Sequence, residues 1–206
     1  MRFWYDTEFL EDGKTIELIS IGIVAENEAT YYAVNSDAPW DRLRDDDWMM
    51  DNVVRHLPTH STGRVKENKG FGYKRKYSWG GISMRSTEVK PKWVIANEVR
   101  EFLTGIRNND GTPVELWADY AAYDHVVLAQ LWGKMIGLPK GIPMWTHDLR
   151  QLWEQAGRPE FPDFVLSDEP MPEHHALADA RELQARWRWL QHELEGPGET
   201  FDGGLS

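Results

Sequence analysis

Asp6 and Glu8 stand in the short apolar run Phe3-Trp4-Tyr5-Asp6-Thr7-Glu8-Phe9, and their two-residue spacing sets what they can do. Alternate side chains of an extended strand share a face, so both carboxylates point the same way. Two anions side by side raise each other's pKa unless a cation sits between them. Hard oxygen ligands suit Mg²⁺ or Mn²⁺ better than softer metals. Asp-x-Glu also occurs on solvated strand edges, so the pair needs partners from elsewhere in the chain to mean more.

Two later segments supply those partners. Asp124 lies in Trp117-Ala118-Asp119-Tyr120-Ala121-Ala122-Tyr123-Asp124-His125-Val126, where a short strand gives way to a helix. An acid there can also serve only to offset the helix macrodipole. Asp179 follows His174 by five residues in His174-His175-Ala176-Leu177-Ala178-Asp179. Five residues of ideal helix separate two side chains by about 140°. They converge only if His174 lies on the loop or the first turn, which Pro170-Met171-Pro172 just upstream permits. Four acids and a His match the requirements of phosphodiester hydrolysis with two divalent ions about 3.5–4 Å apart. The carboxylates would hold the ions and the His would take the proton of the attacking water.

The hydrophobic pattern predicts elements able to position these groups. Strands are expected at 2–6, 15–25 and 30–34, joined as an antiparallel meander by Glu11-Asp12-Gly13-Lys14 and Glu26-Asn27-Glu28. A helix is expected at 40–57, and Asp45-Asp46-Asp47 reads as its solvated face. A second helix is expected at 92–106, its buried stripe formed by Trp93, Val94, Ala96, Val99, Phe102 and Leu103. Then come a strand at 113–117, a helix at 123–136, and a strand at Met144-Trp145. A helix N-capped by Thr146 follows, with His147-Asp148 in its first turn, and a final helix runs over 174–193. Antiparallel strands followed by strands alternating with helices indicate an α/β mixed sheet flanked by helices.

With 206 residues and 41% apolar content the chain can bury a sizeable core, and eleven Trp weight that core toward aromatic packing. No Cys is present, which excludes disulfides and thiolate metal sites. No apolar run approaches the roughly 20 residues of a membrane span, and the N-terminus enters a strand at once. The expectation is a cytoplasmic protein with no membrane partner. The net charge of −11 is uneven: residues 60–92 carry +7, leaving about −18 elsewhere. Within the insertion at 60–91, Phe71, Tyr73, Tyr77 and Trp79 interleave with Lys74, Arg75 and Lys76. That composition suits a single-stranded nucleic acid, with aromatics stacking bases and cations following the backbone. Residues 1–193 are expected to form one domain and 194–206 a disordered tail.

Phe3-Trp4-Tyr5-Asp6-Thr7-Glu8-Phe9 resembles the first motif of the DEDD exonuclease superfamily. Tyr123-Asp124 is similar to the second motif. His174-x4-Asp179 is similar to the third in the DEDDh branch, with His175 as the second candidate for the base. The runs 5–24, 115–126 and 149–154 resemble the ribonuclease AS family of bacterial 3′-exoribonucleases that prefer polyadenylate. The resemblance implies a ribonuclease-H-like fold, two Mg²⁺ or Mn²⁺ ions held by Asp6, Glu8, Asp124 and Asp179, and His174 as base. It also implies single-stranded RNA as substrate, trimming from the 3′ end, and a homodimer. Thr7, Phe9 and Tyr123 are expected to seat the terminal nucleotide. Tyr120 departs from the pattern, standing where many members have Asn. Two other readings remain: the same chemistry on DNA, or a nucleic-acid-binding module without catalysis.

Overall fold

A computed structural model describes residues 1–60, 62–64, 77–105, 112–166 and 172–195. Its main sheet has six strands in the order β6-β3-β2-β1-β7-β8. These are β1 (Arg2–Glu11), β2 (Ile16–Ala25), β3 (Thr30–Asn35), β6 (Val89–Lys90), β7 (Glu115–Ala118) and β8 (His147–Asp148). β1, β2 and β3 form the antiparallel meander. β7 joins β1 in parallel, β8 joins β7 in parallel, and β6 runs parallel to β3. The result is a mixed α/β sheet, as the pattern predicts, and β1 sits at its centre.

A central strand must be apolar on both faces. Phe3 and Tyr5 enter one core together with Ile95, Val99 and Leu103 of α3 (Lys92–Gly105) and Val127 and Leu128 of α4 (Ala122–Ala129). Trp4, pointing the other way, packs with Trp117, with Leu149 and Leu152 of α5 (Leu149–Gln155), and with Leu183, Trp187 and Leu190 of α6 (Ala176–Glu195). Each such fully buried side chain stabilises the fold by about 1.5–3 kcal/mol. A third cluster places Leu10, Ile19 and Val34 under α1 (Trp40–Leu43) and α2 (Asp47–Asn52).

Several expected boundaries move for local reasons. β1 runs on to Glu11, so the acids lie inside the strand. The helix expected at 40–57 is broken into α1, α2 and a short 3₁₀ turn at Val54–His56. Asp46 interrupts it by acting as the N-cap of α2, accepting from the Met49 amide at 3.0 Å. The helix expected at 123–136 stops at Ala129 and gives way to 3₁₀ turns on either side of Gly133, whose φ is 82°. The strand expected at Met144-Trp145 is found at His147–Asp148. Asp148, not Thr146, caps the following helix by accepting from the Arg150 amide at 2.9 Å. Trp93 is exposed and Ile95 takes its place in the core, since the two lie about 200° apart around the helix.

In the insertion, β4 (Thr62–Arg64) and β5 (Tyr77–Trp79) pair antiparallel as a separate ribbon. Lys66, Lys69, Phe71, Tyr73, Lys74, Arg75, Lys76 and the tail from residue 196 lie outside the described residues. Among the described residues no helix is long and apolar enough to cross a membrane.

Candidate active site

Asp6 and Glu8 project from β1 toward the helical layer that holds α6. On β2, Asp6 faces Gly22 across the ladder and Glu8 faces Ser20. Gly22 is where the helix lands. A Cβ on Gly22 would lie 2.3–2.4 Å from backbone atoms of Ala176 and Leu177. The first turn of α6 therefore rests on bare strand backbone beside Asp6, and Asp179 arrives in that turn. Ligand oxygens of Asp6, Glu8 and Asp179 all fall within 4.8 Å of one another. Gly22→Ala is expected to destabilise the fold by about 1–3 kcal/mol or more, because neither backbone can yield cheaply. A thermal melt within error of the parent would show that the close approach does not matter.

Asp124 reaches the same pocket from α4, held by two hydrogen bonds from Thr7. The Thr7 amide donates to its Oδ1 at 2.9 Å and the Thr7 hydroxyl donates to the same atom at 2.6 Å. Thr7 is buried and tied to Asp124, so it acts on the site by holding that acid. The Ala121 amide donates to Asp148 at 3.2 Å, pinning the start of α4 to the cap of α5.

His174 and His175 part company at the α6 entrance. His174 has φ 59°, a left-handed conformation costly for a residue with a Cβ, and it lines the acid pocket. The exposed Trp48 of α2 stands edge-on to its ring at 5.1 Å. His175 turns away to stack on Tyr32 at 4.5 Å. Phe9 and Tyr123 stack on each other at 5.9 Å on the pocket wall, and Tyr123 is more than half exposed. The pocket encloses about 270 Å³.

Sequence reasoning missed three residues here. Asp119 lines the pocket as a fifth acid, held by Arg150 at 2.6 Å and Arg186 at 3.7 Å. Tyr120, also with positive φ (51°), lines the pocket with the Arg150 guanidinium 4.3 Å over its ring. Trp48 is the third. The departure from the family pattern at Tyr120 was a usable signal for the first two, whereas Trp48 meets His174 only through tertiary packing.

The electrostatics follow from crowding. Burial, then Asp124, Glu8, Asp179 and Asp119, push the Asp6 carboxyl well above its ordinary range. Burial, then Asp179 and Asp124, raise Glu8 to about 8. Burial, then Glu182, raise Asp179 to about 7, although the His175 and His174 amides draw it down. Asp124 rises to about 6 through burial, moderated by its bonds from Thr7. Among the described residues no Lys or Arg pairs with any of these four, while Asp119 has its two arginines. An uncompensated carboxylate cluster of this kind fits hard divalent cations.

These raised values make folding pH-dependent with a definite sign. Each carboxyl is harder to ionise folded than unfolded, so the native state binds more protons from about pH 4 up to about 8. Stability is complete below the unfolded values and falls as pH rises through that window. Calorimetric melts in EDTA are expected to give a higher Tm near pH 5 than near pH 8, with the gap closed by saturating Mg²⁺. A higher Tm at pH 8 in EDTA would mean the acids are not in conflict.

A mixed six-stranded sheet flanked by helices, with acids gathered from its central strand and two of those helices, is an α/β fold consistent with the ribonuclease-H-like architecture. No family model matches the chain. Curated relatives do: 3′-5′ exoribonucleases of two Mycobacterium tuberculosis strains are each 39% identical over 191 residues, spanning 92% of this chain and 93% of their own. At that identity and coverage the chain belongs to the same family of 3′-5′ exoribonucleases.

Proposed function

We propose that the protein is a divalent-cation-dependent DEDDh exonuclease of the ribonuclease AS type, removing nucleotides from the 3′ end of single-stranded RNA. The observation that carries the reading is the meeting of Asp6, Glu8 and Asp179 within 4.8 Å, in a pocket that Asp124 and His174 also line. Asp6, Glu8, Asp124 and Asp179 would hold Mg²⁺ or Mn²⁺. Such ions, when bound, activate water and stabilise the leaving oxygen. Thr7 keeps Asp124 aimed into the pocket. His174, on its strained turn, accepts the proton of the attacking water. The Phe9–Tyr123 wall offers a face for the terminal base, since stacking tolerates any base.

Preference for adenylate-rich ends and the homodimer follow from the family resemblance and belong to the same proposal, as does the cytoplasmic setting expected from the sequence. Incubation with 3′-tailed RNAs of differing base composition, with Mg²⁺ or with EDTA, tests it. Mononucleotides should appear from the 3′ end only with Mg²⁺, and fastest from oligoadenylate. Release in EDTA, or equal cutting of the matching DNA, would overturn the cation-dependent or the RNA part respectively.

A further inference from the structure

Tyr123 lines both the acid pocket and a neighbouring, larger groove of about 930 Å³. One wall is formed by Tyr123 and Val126 of α4 and by Gln130 just past its end, at helical spacing. Tyr123 and Val126 are both largely exposed there, an apolar strip on a helix face turned to solvent. The other wall is the far end of the β1–β2 hairpin, from Glu11 to Glu17. β1 therefore runs from one cavity into the other, with Glu8 and Glu11 about 10 Å apart along it.

The charges of the groove are not equivalent. Arg42 is bound to Asp12 at 2.8 Å and to Glu17. Asp12 also accepts from the Lys14 and Thr15 amides, and Glu11 accepts from the Gly13 amide at 3.3 Å. The three acids are thus turned onto Arg42 and the turn backbone. Lys14 and Lys92 line the same groove, and among the described residues neither ammonium has a carboxylate partner. Two uncommitted cations beside an apolar strip, next to the acid pocket, suit a phosphodiester chain.

We propose that this groove is the track for the RNA nucleotides 5′ of the scissile bond, with Lys14 and Lys92 contacting backbone phosphates and the Tyr123–Val126–Gln130 face lying along the strand. The proposal rests on the acid pocket being the hydrolytic site. It makes the enzyme favour longer RNA over a dinucleotide, because a dinucleotide ends before the groove.

The test compares the parent with the double variant Lys14→Ala/Lys92→Ala, and with Lys14→Arg/Lys92→Arg, in two measurements. The first is the salt dependence of binding of a long oligoribonucleotide in EDTA, where no cleavage intervenes. Each lost phosphate contact on a single strand removes about 0.7 from the slope of log K against log salt, so the Ala pair should flatten it by about 1.4. The second is kcat/KM on the long RNA relative to a dinucleotide, expected to fall about five- to tenfold in the Ala pair through KM. The Arg pair should keep the parental slope and ratio. An unchanged slope together with an unchanged ratio in the Ala pair would overturn the groove. Failure of the parent to hydrolyse either RNA would instead overturn the reading of the acid pocket, and the binding slope would still decide the groove.

Discussion

Asp6→Asn is expected to yield a protein that melts higher than the parent in EDTA near pH 8 and releases nucleotides at least about 10³-fold more slowly. The stability gain comes from removing one member of a crowd. The Asp6 carboxyl is raised by burial and then by Asp124, Glu8, Asp179 and Asp119, so its ionised form is held against four like charges. An amide of the same shape cannot ionise, and it relieves Glu8 and Asp179 as well. The gain should be on the order of 1–3 kcal/mol and should shrink as the pH falls and the parent carboxyl takes up its proton. On the proposed reading, the loss of rate follows because the cation site, which would contribute several kcal/mol to the transition state, loses a ligand. Mg²⁺ should raise the parent's Tm with the logarithm of its concentration above the Kd and raise the variant's far less. Calorimetry with nucleotide-release kinetics reads all three, and a variant that melts lower in EDTA would make Asp6 a structural residue.

His174→Ala is expected to lower kcat by about 10²–10⁴-fold, the range for losing a positioned general base. Its Mg²⁺-dependent rise in Tm should stay close to the parent's, since no carboxylate has changed. His175→Ala should show the opposite signature, nearly normal turnover in a less stable protein, because that ring packs on Tyr32. Should His175→Ala slow catalysis as much as His174→Ala, the base could not be assigned to the ring that lines the pocket. The two adjacent histidines thus serve as each other's control.

What could be read beforehand, and what could not, divides by range along the chain. The Asp6–Glu8 pair follows from strand alternation, a rule that spans two residues. The meander of β1 to β3 follows from short hairpin breaks. The arrival of Asp179 beside that pair depends on Gly22 meeting Ala176 and Leu177. A glycine inside a strand reads only as a place where something approaches closely, not what approaches. Thr7 and Asp124 are 117 positions apart, and no local pattern told that the hydroxyl would hold the acid. Trp93 shows the same limit in the core: it stands beside the helical stripe in the sequence pattern, but the sheet meets the side that carries Ile95. Boundaries slipped where a better cap lay nearby, as Asp148 did two residues after Thr146.

The aromatic cluster beneath the site has a use of its own. Trp4 lies two residues before Asp6, Trp117 two before Asp119, and Trp187 eight beyond Asp179, about 12 Å along its helix. Trp187 meets Trp4 at 5.2 Å and Trp117 at 5.8 Å. Three of the elements that bring acids to the pocket are therefore linked by rings whose mutual tilt contributes to the near-ultraviolet dichroism. A rearrangement of these elements that alters the ring tilt would change that signal, an optical gauge with no label attached and no substrate consumed.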